Sequence, residues 1–294
     1  MATITLANGV INLAEKASSK VVEAFSKASC TEGLYNNDYD WTGVRTVKVY
    51  SVDDLPLNNY NATLVDGTSR FGALTELGDT VQEMTVSQDL AFNGVIDKSN
   101  NNSTLMIKEA GKVLNRQTRN VLVPTVDRFR LNAMATYTDT VGSTTYAPLN
   151  KTVTANDLTK ANIIETIMTA NAQMSNELVP DTGRVLFMGY TLAIKVKLAD
   201  QVVGIDKLGE QSIVNGVMGK IDKCQIRLVP DSYMPTDVQF MIVEKGVAIA
   251  PKKIETYRVI TNSYIVDGSI VQGRLMHDLF VLNKKVKGIL VAKT

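Results

Sequence analysis

Val44-Arg45-Thr46-Val47-Lys48-Val49-Tyr50-Ser51-Val52 and Thr80-Val81-Gln82-Glu83-Met84-Thr85-Val86 are the stretches on which the reading of the fold turns. Both are rich in Val and Thr and read as strands. The segment between them, residues 53–79, carries Pro56, Asn58, Asn59, Asn61, Gly67, Gly72 and Gly78 and shows no clear period. An irregular segment of that length inside a domain is usually functional or ordered by a partner. Two strands joined in this way make a hairpin that is marginal by itself in water, so a further surface has to cover it. That surface belongs either to the same chain or to a neighbouring copy.

Toward the N-terminus, Val10, Leu13, Ala14, Ala17, Val21, Ala24, Phe25 and Ala28 fall at helical spacing, with Lys16, Lys20, Glu23 and Lys27 on other faces. This predicts an amphipathic helix over residues 10–28. Gly33 and the run Asn36-Asn37-Asp38-Tyr39-Asp40 then read as a linker. A helix set apart by a polar linker is either an arm that docks on something or a helix packed on its own domain.

Toward the C-terminus, residues 103–121 predict a helix, with Ser103 available as its cap and Met106, Ala110, Val113, Leu114, Gln117 and Val121 on one face. Lys108, Lys112, Arg116 and Arg119 make a basic stripe on the opposite face, read as a solvated helix face or as a contact for a polyanion or an acidic partner. Pro124 is expected to kink or break the helix before a second helical pattern at Val126, Phe129, Ala133, Met134 and Tyr137. Thr154-Ala155-Asn156-Asp157 resembles a capping box ahead of a helix through Leu158, Ala161, Ile164, Ile167 and Met168. Residues 184–188 read as a short buried strand, 190–199 as a helix, and 217–229 and 238–243 as strands. The last third is β-rich, with Gly268 and Asn283 at expected turns. Helices and strands alternate irregularly, which predicts an α+β fold.

The composition narrows the function. Of 294 residues, 45% are hydrophobic and 21% charged, so wholesale disorder is excluded. With 31 Lys+Arg against 30 Asp+Glu the net charge is +1, which argues against a protein whose main work is gripping nucleic acid. Cys30 and Cys224 make no disulfide framework and read as small buried or half-buried residues. The single histidine, His277, rules out a His-rich metal site within one chain. His277 and Asp278 are neighbours on a strand-like run and point to opposite faces, so the pair is read as structural.

Gly216-Val217-Met218-Gly219-Lys220 matches a phosphate loop only superficially. Asp97-Lys98-Ser99-Asn100-Asn101 lacks the glycine and closing Glu of a calcium loop. No catalytic, cofactor or metal residues are assigned, and the chain is not read as an enzyme. A carboxylate-based hydrolase or transferase is kept as an alternative of a different class. Neither a secretory signal nor a bilayer-spanning run is present, so no membrane is expected and the chain is read as made in a reducing cytoplasm.

The ordered series of motifs is similar to one known family. Residues 44–51 and the run Glu76-Leu77-Gly78-Asp79-Thr80-Val81-Gln82-Glu83-Met84 resemble the extended loop of major capsid proteins of tailed bacteriophages, of the type infecting Gram-positive hosts. Ala110-Gly111-Lys112-Val113-Leu114-Asn115-Arg116-Gln117 and Val121-Leu122-Val123-Pro124-Thr125-Val126-Asp127-Arg128-Phe129-Arg130 resemble that family's spine helix and its proline. Gly183-Arg184-Val185-Leu186-Phe187, Gly219-Lys220-Ile221-Asp222, Pro251-Lys252-Lys253 and Gly273-Arg274 follow in the family's order.

The resemblance implies a Hong Kong 97-like capsid fold. It implies an N-terminal arm (residues 1–40), an extended loop (41–92), a peripheral domain with the spine helix (93–144) and an axial domain (145–238). Residues 239–294 return to the peripheral domain, with the last strand open to the axial one. It further implies pentamers and hexamers assembling in the bacterial host cytoplasm into the icosahedral virion shell around double-stranded DNA, without a cofactor. A portal is implied as a partner; because the arm begins within a few residues of Met1, either a separate scaffolding protein is expected as a partner or the chain needs none. Lys108, Lys112, Arg116 and Arg119 are then candidates to face DNA or scaffold inside the shell. An encapsulin-like compartment is the alternative with the same fold.

Overall fold

The structure is a computed structural model that describes residues 3–6, 9–12, 29–36, 38–39, 41, 45–63, 69–103, 109–199, 219–261 and 267–294. In chain order the first strands are β1 (Thr3–Leu6), β2 (Gly9–Asn12), β3 (Thr46–Val52), β4 (Asp79–Thr85) and β5 (Gln88–Asp97). Helices α1 (Lys98–Ser103) and α2 (Ala110–Gln117), a π turn (Thr118–Leu122) and α3 (Val123–Ala135) come next. Strands β6 (Asp139–Val141), β7 (Thr144–Tyr146) and β8 (Leu149–Thr152) precede α4 (Ile163–Asn176), β9 (Arg184–Gly189) and α5 (Tyr190–Lys197). The chain closes with β10 (Lys220–Ile221), β11 (Cys224–Val229), β12 (Val238–Glu244), β13 (Ala248–Ile249), β14 (Lys252–Ile260), β15 (Gly268–His277), β16 (Phe280–Val281) and β17 (Ile289–Lys293).

Two compact units divide these elements: Met1–Ala28, Ala91–Val123 and Thr256–Arg274 make the smaller, and Ser29–Leu90, Pro124–Glu255 and Leu275–Thr294 the larger. The larger is built on a six-stranded mixed sheet of order β10-β11-β9-β12-β17-β8. Its central strands are apolar runs, Val185-Leu186-Phe187-Met188, Phe240-Met241-Ile242-Val243 and Ile289-Leu290-Val291-Ala292, and every one of these residues is buried. A strand buried on both faces has to be apolar at every position instead of alternating.

Val185, Phe187, Met241, Val243, Ile289 and Val291 enter a core with Leu34 and with Leu131, Met134 and Ala135 of α3. Leu186, Met188, Phe240, Ile242, Leu290 and Ala292 enter a second core with α4 and α5. The period of two thus splits one sheet between two cores.

In the smaller unit the sheet order is β14-β15-β5. Gly268 lies against Ile96 and Gly273 against Phe92, so β15 and β5 run antiparallel. Phe92 and Tyr257 stack at 6.4 Å, and a Cβ on Gly273 would meet them at 2.3 and 2.8 Å. Because the obstacle is two ring edges, Gly273→Ala is expected to destabilise by about 1–3 kcal/mol through overpacking. The control is Gly111→Ala on α2, where a Cβ meets nothing within 4 Å. That change is expected to be neutral or stabilising. Denaturant melts of the two variants check the contrast, and equal stability loss in both would refute it.

Several local expectations are corrected. Val10–Asn12 lie in β2, which pairs antiparallel with β1 through Thr5↔Val10 and Ile4↔Ile11. The rest of the expected N-terminal helix, residues 13–28, lies outside the described residues, as does Met106. Ser103 ends α1 and does not cap α2, whose preceding residue is Glu109.

Pro124 does not end the helical path. Residues Ala110–Ala135 stay helical because the π turn absorbs the proline, with the Val123 N–H donating to the Thr118 carbonyl five residues back. Pro124 then sits in the first turn of α3, where its missing N–H costs little. The buried stripe of α3 is Val126, Asp127, Arg130, Leu131, Met134 and Ala135, so two charged residues occupy core positions where the sequence pattern had put Phe129 and Ala133.

Thr154 and Asp157 do make the expected reciprocal contact, the Thr154 N–H and hydroxyl donating to the Asp157 carboxylate at 2.7 and 2.9 Å. Turns follow it, and α4 begins only at Ile163. Gly268 opens β15 instead of forming a turn, since a Cβ there would lie 2.1 Å from the Ile96 carbonyl oxygen.

Candidate functional site

The hairpin is paired antiparallel from Thr46↔Thr85 to Val52↔Asp79, and the Asp53 N–H donates to the Gly78 carbonyl at 2.9 Å to close it. Its foot is buried. Met84 and Val86 pack with Trp41, Ile249, Met276 and Leu282, with Val47 and Val49 against them. Trp41 stacks on Phe280 at 5.2 Å.

The inner face is held by polar contacts. Gln82 Nε2 donates to Tyr137 Oη at 2.9 Å and to the Val281 carbonyl at 2.8 Å, and the Asn283 N–H donates to Gln82 Oε1 at 3.1 Å. Tyr137 Oη donates in turn to Asn283 Oδ1 at 2.6 Å. Burial, then the nearby Asp139, pushes the Tyr137 hydroxyl well above its ordinary value, so it remains a donor at every physiological pH. Near the loop, Lys284 Nζ donates to Asp53 Oδ1 at 2.5 Å, and that hydrogen bond is the main reason the ammonium is held above the usual lysine range.

The outer face has no such cover. Tyr50 and Val81 are directly opposed across the strands, and with Val52 they are exposed. Lys48 and Glu83 sit 3.8 Å apart, each more than half exposed, a geometry worth little by itself. The loop beyond is shaped by its own contacts. Asn61 N–H donates to the Arg70 carbonyl at 2.9 Å, Tyr60 and Phe71 meet edge to face at 5.2 Å, and Asn58 Nδ2 donates to the Phe71 carbonyl at 3.3 Å. Gly72 holds a left-handed φ of +88° at this crossing. Leu57 and Leu74 nevertheless stand at 101% and 100% exposure, with Leu55, Tyr60, Phe71 and Leu77 also exposed. The hairpin thus has a fixed foot and a loop with several uncovered apolar side chains.

Lys112 is exposed on α2 and pairs with Glu109 at 3.2 Å, and Arg116 on α2 and Arg119 in the π turn are exposed too. Lys108 lies outside the described residues. Among the described residues no group of three or more His, Cys, Asp and Glu side chains could hold a metal, and no helix is long and apolar enough to cross a membrane. Cys224 is buried and Cys30 half-buried. Sequence reasoning located the hairpin and its loop but not the individual leucines. Their only sequence signal is apolar residues recurring within an otherwise polar, Asn- and Gly-rich stretch.

No protein-family model matches the chain, and no curated protein sequence matches it. Solved structures do. A structure of Mycobacterium phage Che8 is 16% identical, covers 95% of this chain and 96% of its own, and superposes with a TM-score of 0.71. The capsid of Cyanophage P-SCSP1u is 16% identical, with 95% and 92% covered and a TM-score of 0.72. The capsid of Myoviridae phage XM1 is 13% identical, with 96% and 98% covered and a TM-score of 0.66. Over nearly its whole length, the chain has the α+β, Hong Kong 97-like fold of these phage capsid structures.

Proposed function

We propose that this chain is a structural shell protein, the major capsid protein of a tailed phage, whose copies associate into pentamers and hexamers of an icosahedral shell around double-stranded DNA. The observation that carries the reading is the hairpin loop, fixed at its foot and uncovered at Leu57, Leu74 and their apolar neighbours, on a fold that matches capsid chains end to end. Such a loop gains burial only against another copy. In this reading residues 1–40 are the arm, 41–92 the extended loop, 93–144 the first part of the peripheral domain and 145–238 the axial domain. Residues 239–294 return to the peripheral domain, with the last strand open to the axial one, and a portal and a separate scaffolding protein complete the particle. Sedimentation and electron microscopy of the purified protein test the proposal. Capsomers or closed shells are expected, and a strictly monomeric protein at high concentration would overturn it.

The basic stripe fits the same reading as a lumenal surface for DNA or scaffold. Cations spaced along one helix attract phosphate or an acidic partner without specifying sequence. Reversing charge at Lys108, Lys112, Arg116 and Arg119 together is expected to cut DNA packaging or scaffold-dependent assembly while leaving the fold intact. Normal assembly and packaging in the quadruple variant would refute this role.

A further inference from the structure

Gln82 lies in the middle of β4, and its amide is held at both ends by backbone groups that cannot change role. Nε2 donates to the Val281 carbonyl at 2.8 Å, which only accepts, and Oε1 accepts from the Asn283 N–H at 3.1 Å, which only donates. Asn283 is buried and is fixed from the other side, where its Nδ2 donates to Asp139 Oδ2 at 2.7 Å. An ionised carboxylate accepts and never donates, so Asn283 has to turn Nδ2 to Asp139 and Oδ1 to Tyr137.

The Tyr137 hydroxyl lies between these two amides. Its one proton goes to Asn283 Oδ1 at 2.6 Å, and its oxygen accepts from Gln82 Nε2 at 2.9 Å. The hydrogen bonds therefore run one way, from Gln82 to Tyr137 to Asn283 to Asp139, and end on the one charged member of the series. Bonds aligned head to tail in this manner polarise one another. A reversed Asn283 amide would set its Oδ1 against the carboxylate, acceptor to acceptor, and leave the Tyr137 proton without its partner.

Gln82 is also where the hairpin has a directional hold on the body. Toward the foot, Met84 and Val86 sit in the apolar cluster with Trp41, and apolar burial has no preferred direction. Toward the loop, Lys284 and Asp53 pair through side chains that are 44% and 43% exposed, a setting in which an ion pair contributes little. Between them, the half-buried Gln82 amide makes three hydrogen bonds to the body, each with a fixed angle.

We propose that Asp139 is a positioning residue for the hairpin: by fixing the direction of the hydrogen bonds through Asn283 and Tyr137, its carboxylate holds Gln82, and with it the upper ribbon of residues 49–53 and 78–82, in one place on the larger unit. Asp139 does this from the start of β6, through two intervening side chains. The foot cluster keeps its own hold and is not part of the device. The inference concerns one chain and holds whether or not copies associate.

Hydrogen exchange of the full-length protein near neutral pH tests it, with all variants compared at the same state of association. A two-stranded ribbon is marginal by itself in water, so the amides of residues 49–53 and 78–82 are protected while the ribbon is docked. Asp139→Ala and Tyr137→Phe are each expected to speed exchange there by a factor of about 5–30, the range for one or two lost hydrogen bonds. The double variant is expected to exceed Tyr137→Phe by less than about twofold, because without the hydroxyl the direction set by Asp139 no longer reaches Gln82. Asp139→Asn keeps an acceptor but not the charge. It is expected to fall between wild type and Asp139→Ala, and it serves under the same criterion should the alanine variant fail to fold. The amides of β12, inside the six-stranded sheet, and the fluorescence of Trp41, the chain's single tryptophan, are expected to stay unchanged. Unaltered exchange of the ribbon in the Asp139 variant, an acceleration shared equally by β12, or one that is equally large with and without the Tyr137 hydroxyl would overturn the proposal.

Discussion

Arg184→Met lowers the stability of the larger unit by about 2–5 kcal/mol, because the two buried Asn171 oxygens lose their charged donor at about 1–3 kcal/mol each. The Arg184 side chain is fully buried yet has a partner on each nitrogen. Nε donates to the Pro180 carbonyl at 2.8 Å, Nη1 to the Asn171 carbonyl and to Ser175 Oγ at 3.0 Å each, and Nη2 to the Val179 carbonyl at 2.6 Å. Nη1 also donates to Asn171 Oδ1, and Nη2 pairs with Asp181 at 3.1 Å.

The same Asn171 donates from Nδ2 to the Asp222 carbonyl and carboxylate at 2.9 and 2.8 Å, and accepts from Cys224 Sγ at 3.4 Å. Burial pushes the Cys224 thiol up to about 11, so it stays protonated and stays a donor. One guanidinium thus ties the C-terminal turns of α4, the loop into β9 and the β10–β11 turn, where Leu178, Asp222 and Lys223 all hold left-handed backbones. Methionine keeps the volume and abandons these partners, leaving the buried Asn171 carbonyl and Oδ1 without the Arg184 donor. Lysine does not rescue it, because a single ammonium cannot span the fork. Thermal unfolding, compared at the same state of association, should show a fall of roughly 10 °C for a unit of this size. A shift within about 2 °C would show that the network is not what holds these turns.

Arg184 also marks where the sequence stops being readable. The run after it, Val185 to Met188, announces a strand buried on both faces, and so do the runs in β12 and β17. The hairpin strands β3 and β4 are legible for the same reason, composition at consecutive positions. An arginine at the head of such a run gives no sign that its charge is buried, because its partners come from residues 171–181. Asp127 is similar. It is 1% exposed because Ser29 Oγ, the Cys30 N–H and Thr31 Oγ1 donate to it at 2.7, 2.9 and 2.6 Å, across nearly a hundred residues of sequence. A helical wheel scores Asp127 and Arg130 as solvent-facing and so rotates the predicted buried stripe of α3 away from the true one. At Pro124 the local rule was sound, but a one-residue change of hydrogen-bond register, invisible in composition, satisfied it. Of the candidate site, the loop's place and irregularity were legible. Which of its side chains lack cover was not, because exposure depends on the whole chain.

Those uncovered side chains give the other large effect. Leu57→Asp combined with Leu74→Asp is expected to leave the isolated fold within about 0.5 kcal/mol of wild type, because both leucines are already fully exposed and lose no packing. Association responds very differently. A leucine buried at a contact contributes about 1.5–3 kcal/mol, so two of them contribute about 3–6 kcal/mol per loop. A carboxylate forced into the same contact adds a desolvation cost. The loop already carries Asp53, Asp54, Asp66, Glu76 and Asp79 against Arg70 alone, so two more negative charges also repel any acidic neighbour. A loss of about 3–6 kcal/mol weakens each contact by more than about a hundredfold, and a closed shell repeats that loss at every copy. Circular dichroism should therefore be unchanged while the sedimenting, assembled fraction disappears. Leu57→Ser with Leu74→Ser separates the two causes, since it removes the apolar contact without adding charge and should still weaken assembly, though less. A double aspartate variant that assembles like the wild type would show that the loop, however exposed, is not where copies meet.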